Sequence, residues 1–221
     1  MSNGNIPERQ LVKLSTVGRL TKPAAKSYER MRIVALNVYK VDLRPTGEWD
    51  AYRERAVQEK VFFERYTLSN LNPGYNTVRN GGIKTYNGKT YYKRPNVAVA
   101  ATPGTSNHGW GIAVDFRNNP GAWAWLQKYG KKFGWTNTEG ARINEPWHWV
   151  YDSKDTRKKR VGKYVVKGSA GARTYKTRKT GKPQRNLAAC KNVKVVVTWG
   201  AWAYLKKGDW IKRSEIRKVK K

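Results

Sequence analysis

The chain has 221 residues, and 38% of them are hydrophobic, which is enough apolar material for a packed core and excludes an intrinsically disordered chain. Lys and Arg number 46 against 15 Asp and Glu, so the net charge of +31 predicts a polyanionic partner: nucleic acid, teichoic acid or anionic lipid. No segment has the roughly 18 apolar residues of a membrane span, the first ten residues lack the core of a secretory signal, and the lone Cys190 excludes an internal disulfide.

Two amphipathic helices are predicted in the first third of the chain. Residues 24–39 are good helix formers, and their apolar side chains recur at helical spacing. Within residues 54–66, Val57, Val61 and Phe62 share one face, which we expect to pack on a sheet.

The middle of the chain is predicted to combine a long loop with short regular elements. Residues 67–95 are rich in Asn, Gly and Tyr, which indicates a surface loop with a hairpin at residues 84–92. A strand is predicted at residues 110–116, a helix at 122–133 and an extended segment at 146–151. This mixed order favours an α+β fold.

Basic charge is concentrated in the last third of the chain. Residues 1–152 carry 23 basic and 12 acidic residues, whereas the rest of the chain carries 23 and 3. The charged segment 154–162 has no core-forming pattern and is predicted to be a linker. We therefore expect a first domain at residues 1–153, with its core at 24–151, and a second at 163–221.

The second domain is predicted to be a small all-β barrel. Its short apolar runs, broken by Gly and basic turns, are residues 164–166, 193–197, 201–205 and 210–211. The segment 168–173 and the Gly-Asp-Trp-Ile sequence at 208–211 resemble a bacterial Src-homology-3-like wall-binding domain. The resemblance implies salt-sensitive binding to anionic wall polymers, and a basic β-module of another kind is the alternative.

The two histidines of the chain, His108 and His148, both lie in polar and aromatic segments. Zinc binds His nitrogen and carboxylate oxygen, and a catalytic site leaves its fourth position open. With Asp115 the histidines would supply three ligands to one Zn²⁺ ion, and Glu145 would remain as a general base. Positions 145 and 148 of a straight strand face opposite ways, so this hypothesis requires a bend at Pro146.

Both histidine segments resemble the zinc D-alanyl-D-alanine carboxypeptidases of the VanY type and related phage endolysins. The family pattern Ser-x-His-x-x-Gly-x-Ala-x-Asp is met from Ser106 to Asp115, and Glu-Pro-Trp-His is met at residues 145–148. Between them, Phe-Gly-Trp at 133–135 is similar to the family's Phe-Gly-Trp. The resemblance covers roughly residues 47–151 and implies the small α+β zinc domain that these enzymes share with hedgehog-type domains.

An upstream element extends the resemblance. Tyr52, Arg53 and Gln58 look like the family's Tyr-Arg-Ser followed by Gln, although Glu54 stands where Ser is usual. The resemblance implies that Arg53 stabilises the oxyanion, by on the order of 3 kcal/mol, while Glu145 takes a proton from the attacking water. A solvated surface charge is the alternative for Arg53.

The remaining site residues are expected around the metal ligands. Ser106 would cap a turn, and Trp110 and Trp147 would exclude water and hold the ligands, with the lining of a substrate cleft as the alternative. Asp115 has a second interpretation, in which it orients a histidine ring. We expect the loop at residues 67–95 to set the substrate pocket.

These features predict a zinc-dependent peptidoglycan peptidase, a phage endolysin that hydrolyses an amide bond of the stem peptide or cross-link. L-Ala-D-Glu endopeptidase and D,D-carboxypeptidase or endopeptidase activities both stay open. The alternatives are a bacterial D,D-carboxypeptidase and a non-catalytic basic protein that binds wall polymer or nucleic acid around a structural metal. We expect a monomer that is made in the host cytoplasm without a signal peptide and acts on peptidoglycan and anionic wall polymers after release.

Overall fold

The computed structural model describes residues 1–119, 121–155, 160–167, 169–178 and 183–219. The chain divides into two compact units, and each draws on separated parts of the sequence. The first unit comprises Met1–Ala25, Pro45–Phe116 and Thr138–Val150, and the second comprises Lys26–Arg44, Arg117–Asn137 and Tyr151–Lys221. Residues 156–159 of the predicted linker, and Gly168 of the predicted wall-binding motif, lie outside the described residues. The domain boundaries near residues 153 and 163 stay a prediction.

Helices and strands are mixed along the described chain, as the sequence predicts. The α-helices are α1 (Lys22–Val34), α2 (Arg55–Arg65), α3 (Ala122–Tyr129) and α4 (Thr138–Arg142). The strands are β1 (Leu11–Lys13), β2 (Arg19–Thr21), β3 (Tyr66–Thr67), β4 (Ile83–Tyr86), β5 (Lys89–Lys93), β6 (Ala113–Asp115), β7 (Trp135–Thr136), β8 (His148–Tyr151), β9 (Gly162–Val166), β10 (Ala172–Thr174), β11 (Arg185–Leu187), β12 (Asn192–Trp199), β13 (Trp202–Leu205), β14 (Trp210–Lys212) and β15 (Ile216–Lys218).

The predicted helices form with small changes at their ends. Helix α1 continues as a π-helix over Ala35–Tyr39, so the helical segment ends where the sequence predicts. Helix α3 continues as a 3-10 helix over Gly130–Phe133 and stops at Gly134, whose φ of 78° is left-handed. A glycine adopts this conformation without steric cost, which explains why the chain turns there.

Helix α2 packs on a small sheet in the first unit, as predicted. Strands β3, β5 and β4 are hydrogen-bonded in that order, and the predicted hairpin turns at Asn87 and Gly88, which both have positive φ. The Phe62 ring stacks on Tyr66 at a centroid distance of 4.7 Å and meets Tyr86 edge-on at 5.6 Å. These aromatic contacts fix the helix against the hairpin.

A second pairing in the first unit aligns two of the predicted metal ligands. Strands β6 and β8 are antiparallel, and their register places Asp115 directly opposite His148. Residues opposite one another in an antiparallel pair carry side chains on the same face of the sheet. The register therefore brings together two side chains that lie 33 positions apart.

The C-terminal strands differ from the predicted closed barrel. They form a five-stranded sheet in the order β14-β13-β12-β9-β15, and in the described residues this sheet is open between β14 and β15. The 3-10 helix Arg213–Glu215 connects these two strands, and β14 pairs with Tyr175 through two backbone hydrogen bonds. The strands also share their compact unit with residues 26–44 and 117–137, so an independent all-β domain is not confirmed.

Trp199, at the end of β12, joins an aromatic cluster within the second unit. Its side chain is buried, its Nε1 donates a hydrogen bond to the Tyr39 hydroxyl at 3.2 Å, and its ring stacks on Phe133 at a centroid distance of 5.9 Å. Tyr129 meets the same ring edge-on at 5.3 Å. The C-terminal sheet is thus packed on helical residues from the middle of the chain.

Replacing Trp199 by Ala is expected to lower the free energy of unfolding by about 3–5 kcal/mol, because a large buried ring and its hydrogen bond are lost. Urea denaturation followed by far-ultraviolet circular dichroism measures the change. Trp110→Ala is the matched control: Trp110 is 42% exposed, and its loss should cost less than about 1 kcal/mol. Equal stability of the two variants would show that the cluster does not hold the sheet.

Among the described residues, no helix combines the length and the apolar character that a membrane crossing requires.

Candidate metal centre

Three predicted ligands converge in the first unit. His108 lies in the 3-10 helix Asn107–Trp110, Asp115 ends β6, and His148 begins β8. His108 Nε2 lies 3.3 Å from Asp115 Oδ1 and 3.3 Å from His148 Nδ1, and the last two atoms are 2.8 Å apart. Both imidazoles are buried, so the three donor atoms meet away from bulk water.

The spacing of these donor atoms fits a tetrahedral metal site. Ligand atoms bonded to zinc at about 2.0–2.2 Å are about 3.3–3.6 Å apart at tetrahedral angles. Two of the three separations match this value, and the third is shorter by about 0.5 Å. The group His108, Asp115 and His148 is the cluster that could hold a metal ion among the described residues.

The second nitrogen of each imidazole has an oxygen acceptor outside the cluster. His108 Nδ1 donates to the backbone oxygen of Ala51 at 2.8 Å, and His148 Nε2 lies 3.4 Å from Glu139 Oε2. His148 has a carboxylate oxygen at each ring nitrogen, since Asp115 Oδ1 lies 2.8 Å from its Nδ1, so both nitrogens can donate when no metal is bound. A metal bound by His108 Nε2 and His148 Nδ1 would leave the protons on the other two nitrogens, where Ala51 and Glu139 would orient the rings.

Backbone contacts hold the His108 segment in place. Ser106 Oγ caps the 3-10 helix and accepts a hydrogen bond from the His108 N–H at 3.3 Å. Asn3 Nδ2 donates to the Ser106 backbone oxygen at 2.7 Å. A Cβ at Gly109 would lie 1.9 Å from Asn3 Oδ1, so only glycine allows this close approach.

The bend required at Pro146 is present. The His148 N–H donates to the Glu145 backbone oxygen at 3.0 Å, which closes a four-residue turn with Pro146 at its second position. Proline favours this position because its fixed φ matches the turn. The turn places the half-buried Glu145 side chain in the same cleft as His148.

The electrostatics of the cluster favour a bound cation. Burial raises the pKa of the Asp115 carboxyl, but the charges and hydrogen bonds of His108 and His148 outweigh burial and hold that pKa well below its usual range. Burial and the neighbouring Asp115 carboxylate raise the pKa of Glu145. Burial lowers the pKa of His148, but the neighbouring carboxylates of Asp115, Glu139 and Glu145 raise it by a larger amount, so the net shift is upward. The carboxylates close to the two imidazoles thus stabilise positive charge at the cluster, whether a proton or a metal ion carries it.

Arg53 lies beside the cluster and is held by several contacts. Its Nη2 is 3.8 Å from Asp115 Oδ2 and 3.4 Å from Asp50 Oδ1, and its Nε donates to the Trp49 backbone oxygen at 3.0 Å. Gln58 is buried and donates to the Arg53 backbone oxygen at 3.0 Å. Arg53 and Gln58, both predicted from the sequence, therefore line the site.

Glu54, which stands where the family has Ser, turns away from the cleft. Its Oε1 accepts a hydrogen bond from Arg19 Nη2 at 2.8 Å. The difference from the family pattern is thus accommodated by an ion pair outside the site.

A cleft of about 560 Å³ connects these residues. Its lining contains the three candidate ligands, Glu145, Arg53, Gln58, Ser106 and Trp147 from the sequence analysis. It also contains Glu139, Arg65, residues 98–101 and, from the predicted loop, Lys84. Trp110 is exposed and is not among the described residues that line the cleft.

Sequence reasoning missed Glu139. Its Oε2 faces His148 Nε2 and accepts a 2.6 Å hydrogen bond from Asn107 Nδ2, so it lies between the segments of both histidines. No motif marks it, because it reaches the cluster only through the short helix α4. The only signal for Glu139 in the sequence is that it is an acidic residue shortly before the Glu-Pro-Trp-His sequence at 145–148.

Comparison with known proteins relates the chain to one family. The model of the D-alanyl-D-alanine carboxypeptidase family, VanY, matches residues 18–154. Similar solved structures include a mutant of the vancomycin resistance D,D-pentapeptidase VanY from a VanB-type resistance cassette in complex with Zn(II), with 19% identity, a TM-score of 0.44, and coverage of 68% of this chain and 84% of that chain. VanYB in complex with D-alanine-D-alanine has 19% identity, a TM-score of 0.45, and coverage of 68% and 83%. A search of the curated proteins found no match.

Proposed function

This chain belongs to the VanY family of D-alanyl-D-alanine carboxypeptidases, and from that premise we propose that it is a zinc-dependent peptidase that hydrolyses an amide bond in the stem peptide or cross-link of peptidoglycan. The observation that carries the proposal is the convergence of His108 Nε2, His148 Nδ1 and an Asp115 oxygen, with Glu145 in the same cleft. Two imidazole nitrogens and one carboxylate are a donor set that zinc accepts in catalytic sites. A zinc ion held there would act as a Lewis acid and lower the pKa of a coordinated water.

The chain's own residues supply the proton transfers and the charge stabilisation. Glu145, half-buried in the same cleft as His148, accepts a proton from the attacking water and then protonates the leaving amine. Arg53 is directed at the edge of the cluster, where it can stabilise the negative charge that develops on the scissile carbonyl oxygen.

Digestion of purified peptidoglycan tests the proposed function. The zinc-loaded protein is expected to release free D-Ala or new amino termini, a chelator should abolish the release, and added zinc should restore it. Mass spectrometry of the muropeptides distinguishes D,D-carboxypeptidase or endopeptidase cleavage from L-Ala-D-Glu cleavage. Intact muropeptides after incubation with zinc-loaded protein would overturn the proposal and favour a non-catalytic binding protein.

Replacing Glu139 by Ala is expected to weaken zinc binding about 10–100-fold, because His148 loses the acceptor that fixes its ring. Competition with a chromophoric chelator measures the affinity. Glu139→Gln keeps an acceptor oxygen and should bind zinc more tightly than the Ala variant does. Glu64→Ala, at an exposed position of α2, is the control and should bind as the unmodified protein does. Wild-type affinity in Glu139→Ala would remove Glu139 from the site.

The proposed biological role is that of a phage endolysin, made in the host cytoplasm and acting on the wall after release. The net charge of +31 supports attraction to an anionic wall. Cells that express the chain are expected to stay intact until chloroform permeabilises their membrane and then to lyse, whereas cells that express Glu145→Gln stay intact. Survival of permeabilised cells that contain active enzyme would contradict this role. The proposed state is a monomer, and light scattering tests this state.

We place the proposed contact with anionic wall polymers on a lysine-rich pocket of about 250 Å³ in the second unit. Its lining residues are Arg185, Leu187, Lys191, Asn192, Val193, Lys194, Leu205, Lys206 and Lys207. Arg185 is neutralised by Asp209, but the described residues offer the four lysines no carboxylate partner. A double Lys206→Gln and Lys207→Gln variant should bind purified walls less tightly at low salt than a control with Lys163→Gln and Lys167→Gln. Equal binding of both variants, or loss of binding only to nucleic acid, would contradict this placement.

A further inference from the structure

Lys84 is directed into the cleft. It lies on β4, two positions before Tyr86, and residues at this spacing share one face of a strand. Tyr86 on that face is buried against Phe62, whereas Thr85 on the opposite face is exposed. Lys84 is correspondingly half-buried and lines the same cleft as the His108, Asp115 and His148 cluster. The β4–β5 hairpin thus places the cationic side chain of Lys84 in the lining of the cleft.

Two other cations that line the cleft are already engaged, and a third, Arg142, is exposed. Arg53 contacts Asp50 and Asp115, and Arg65 Nη1 donates to the Val99 backbone oxygen at 3.0 Å. Within the described residues, the ammonium group of Lys84 makes no hydrogen bond and no ion pair. Burial lowers the pKa of its ammonium group, and no carboxylate offsets that shift. A half-buried cation without an acceptor is unfavourable unless a ligand supplies one.

We propose that Lys84 is a specificity-determining residue that binds a free carboxylate of the peptide substrate. The inference rests on the proposed peptidase function and adds the chemical group that the cleft selects. An ammonium group in a partly dehydrated cleft interacts with a carboxylate more strongly than it would in water. The cost of burying Lys84 is then offset only when an acidic substrate is bound.

A stem peptide offers two sources of this carboxylate. One is the C-terminal carboxylate of the last D-Ala, and the other is the free carboxylate of D-Glu. Three substrates separate them: the peptide L-Ala-D-Glu-L-Lys-D-Ala-D-Ala, its C-terminal amide, and the peptide with the D-Glu carboxylate amidated. The amide for which the wild-type enzyme has a raised KM, and for which Lys84→Met raises KM no further, identifies the carboxylate that Lys84 binds.

The test compares Lys84→Met, which keeps an unbranched side chain one atom shorter and removes its charge, with Lys89→Met. Lys89 lies on the same hairpin and is exposed, so it is a matched control. We expect Lys84→Met to raise KM roughly 10–100-fold for the substrate with both carboxylates, with little change in kcat, and Lys84→Arg to recover part of the loss. For the amide that lacks the recognised carboxylate, Lys84→Met and wild type should have the same KM. Lys89→Met should match wild type on every substrate.

Two results would overturn the inference. If Lys84→Met reduces kcat/KM equally for all three substrates, the residue has a structural effect and does not recognise a carboxylate. If Lys84→Met matches wild type on all of them, Lys84 has no role in binding. Far-ultraviolet circular dichroism of each variant shows that it is folded, and Lys84→Gln repeats the test if the Met variant is not. Absence of hydrolysis by zinc-loaded wild type would instead refute the proposed function itself.

Discussion

Replacing Glu145 by Gln is expected to lower kcat by about 10²–10⁴-fold while the protein keeps its zinc, because general acid–base catalysis contributes a factor of this size. The turn at Pro146 places Glu145 in the cleft with the metal ligands but leaves the ligand set His108, Asp115 and His148 complete. Glutamine has nearly the same shape and cannot accept the proton. Release of D-Ala or of new amino termini measures turnover, and metal analysis of the same sample measures zinc.

Two further variants test whether the loss of kcat comes from the Glu145 carboxylate itself. Glu145→Ala should behave like Glu145→Gln, since both remove the carboxylate. Glu64→Gln, on the exposed face of α2, should retain wild-type turnover. If Glu145→Gln kept near-normal kcat, another group would be the base. If it lost zinc, Glu145 would be a metal ligand and its assigned role would be wrong.

Replacing His108 by Ala is expected to weaken zinc binding strongly and to abolish hydrolysis. Structural zinc sites distribute about 10–16 kcal/mol over four donors, so the loss of one imidazole should weaken binding roughly 100-fold or more. Isothermal titration of the metal-free protein with zinc measures the affinity, and peptidoglycan digestion measures the activity. Asp115→Asn, which keeps the shape of the side chain but removes its charge, should show the same double loss.

A thermal comparison separates metal binding from general damage to the fold. Zinc binds the folded state, so it should raise the Tm of wild type and leave the Tm of His108→Ala almost unchanged. In excess chelator His108→Ala should itself be less stable than wild type, because it loses a buried ring and the hydrogen bond of His108 Nδ1 to Ala51, so the zinc-induced change in Tm is compared within each protein. An equal zinc-induced rise in both proteins would place the ion elsewhere.

The local elements were predictable because short-range patterns determine them. Apolar spacing predicted the helical segment that ends at Tyr39 and helix α2, and Asn87 with Gly88 predicted the hairpin turn. The metal cluster was predictable for a different reason: its ligands lie in two motif segments, and chemistry restricts which side chains can hold zinc.

The longer-range features were not predictable from these patterns. The apolar runs of the C-terminal segment are the same whether a sheet closes or stays open, because closure depends on which strands pair in the folded chain. The packing of Trp199 on Phe133 joins residues 66 positions apart. Glu139 and Lys84 reach the cleft through backbone placement and carry no motif of their own.

The most direct test of the account is the position of the metal ion in crystals of the zinc-loaded protein, located by anomalous diffraction at the zinc absorption edge. We predict one strong peak bonded at about 2.0–2.2 Å to His108 Nε2, an Asp115 carboxylate oxygen and His148 Nδ1. A peak bound through other residues, or no peak in protein that still hydrolyses peptidoglycan, would contradict the account.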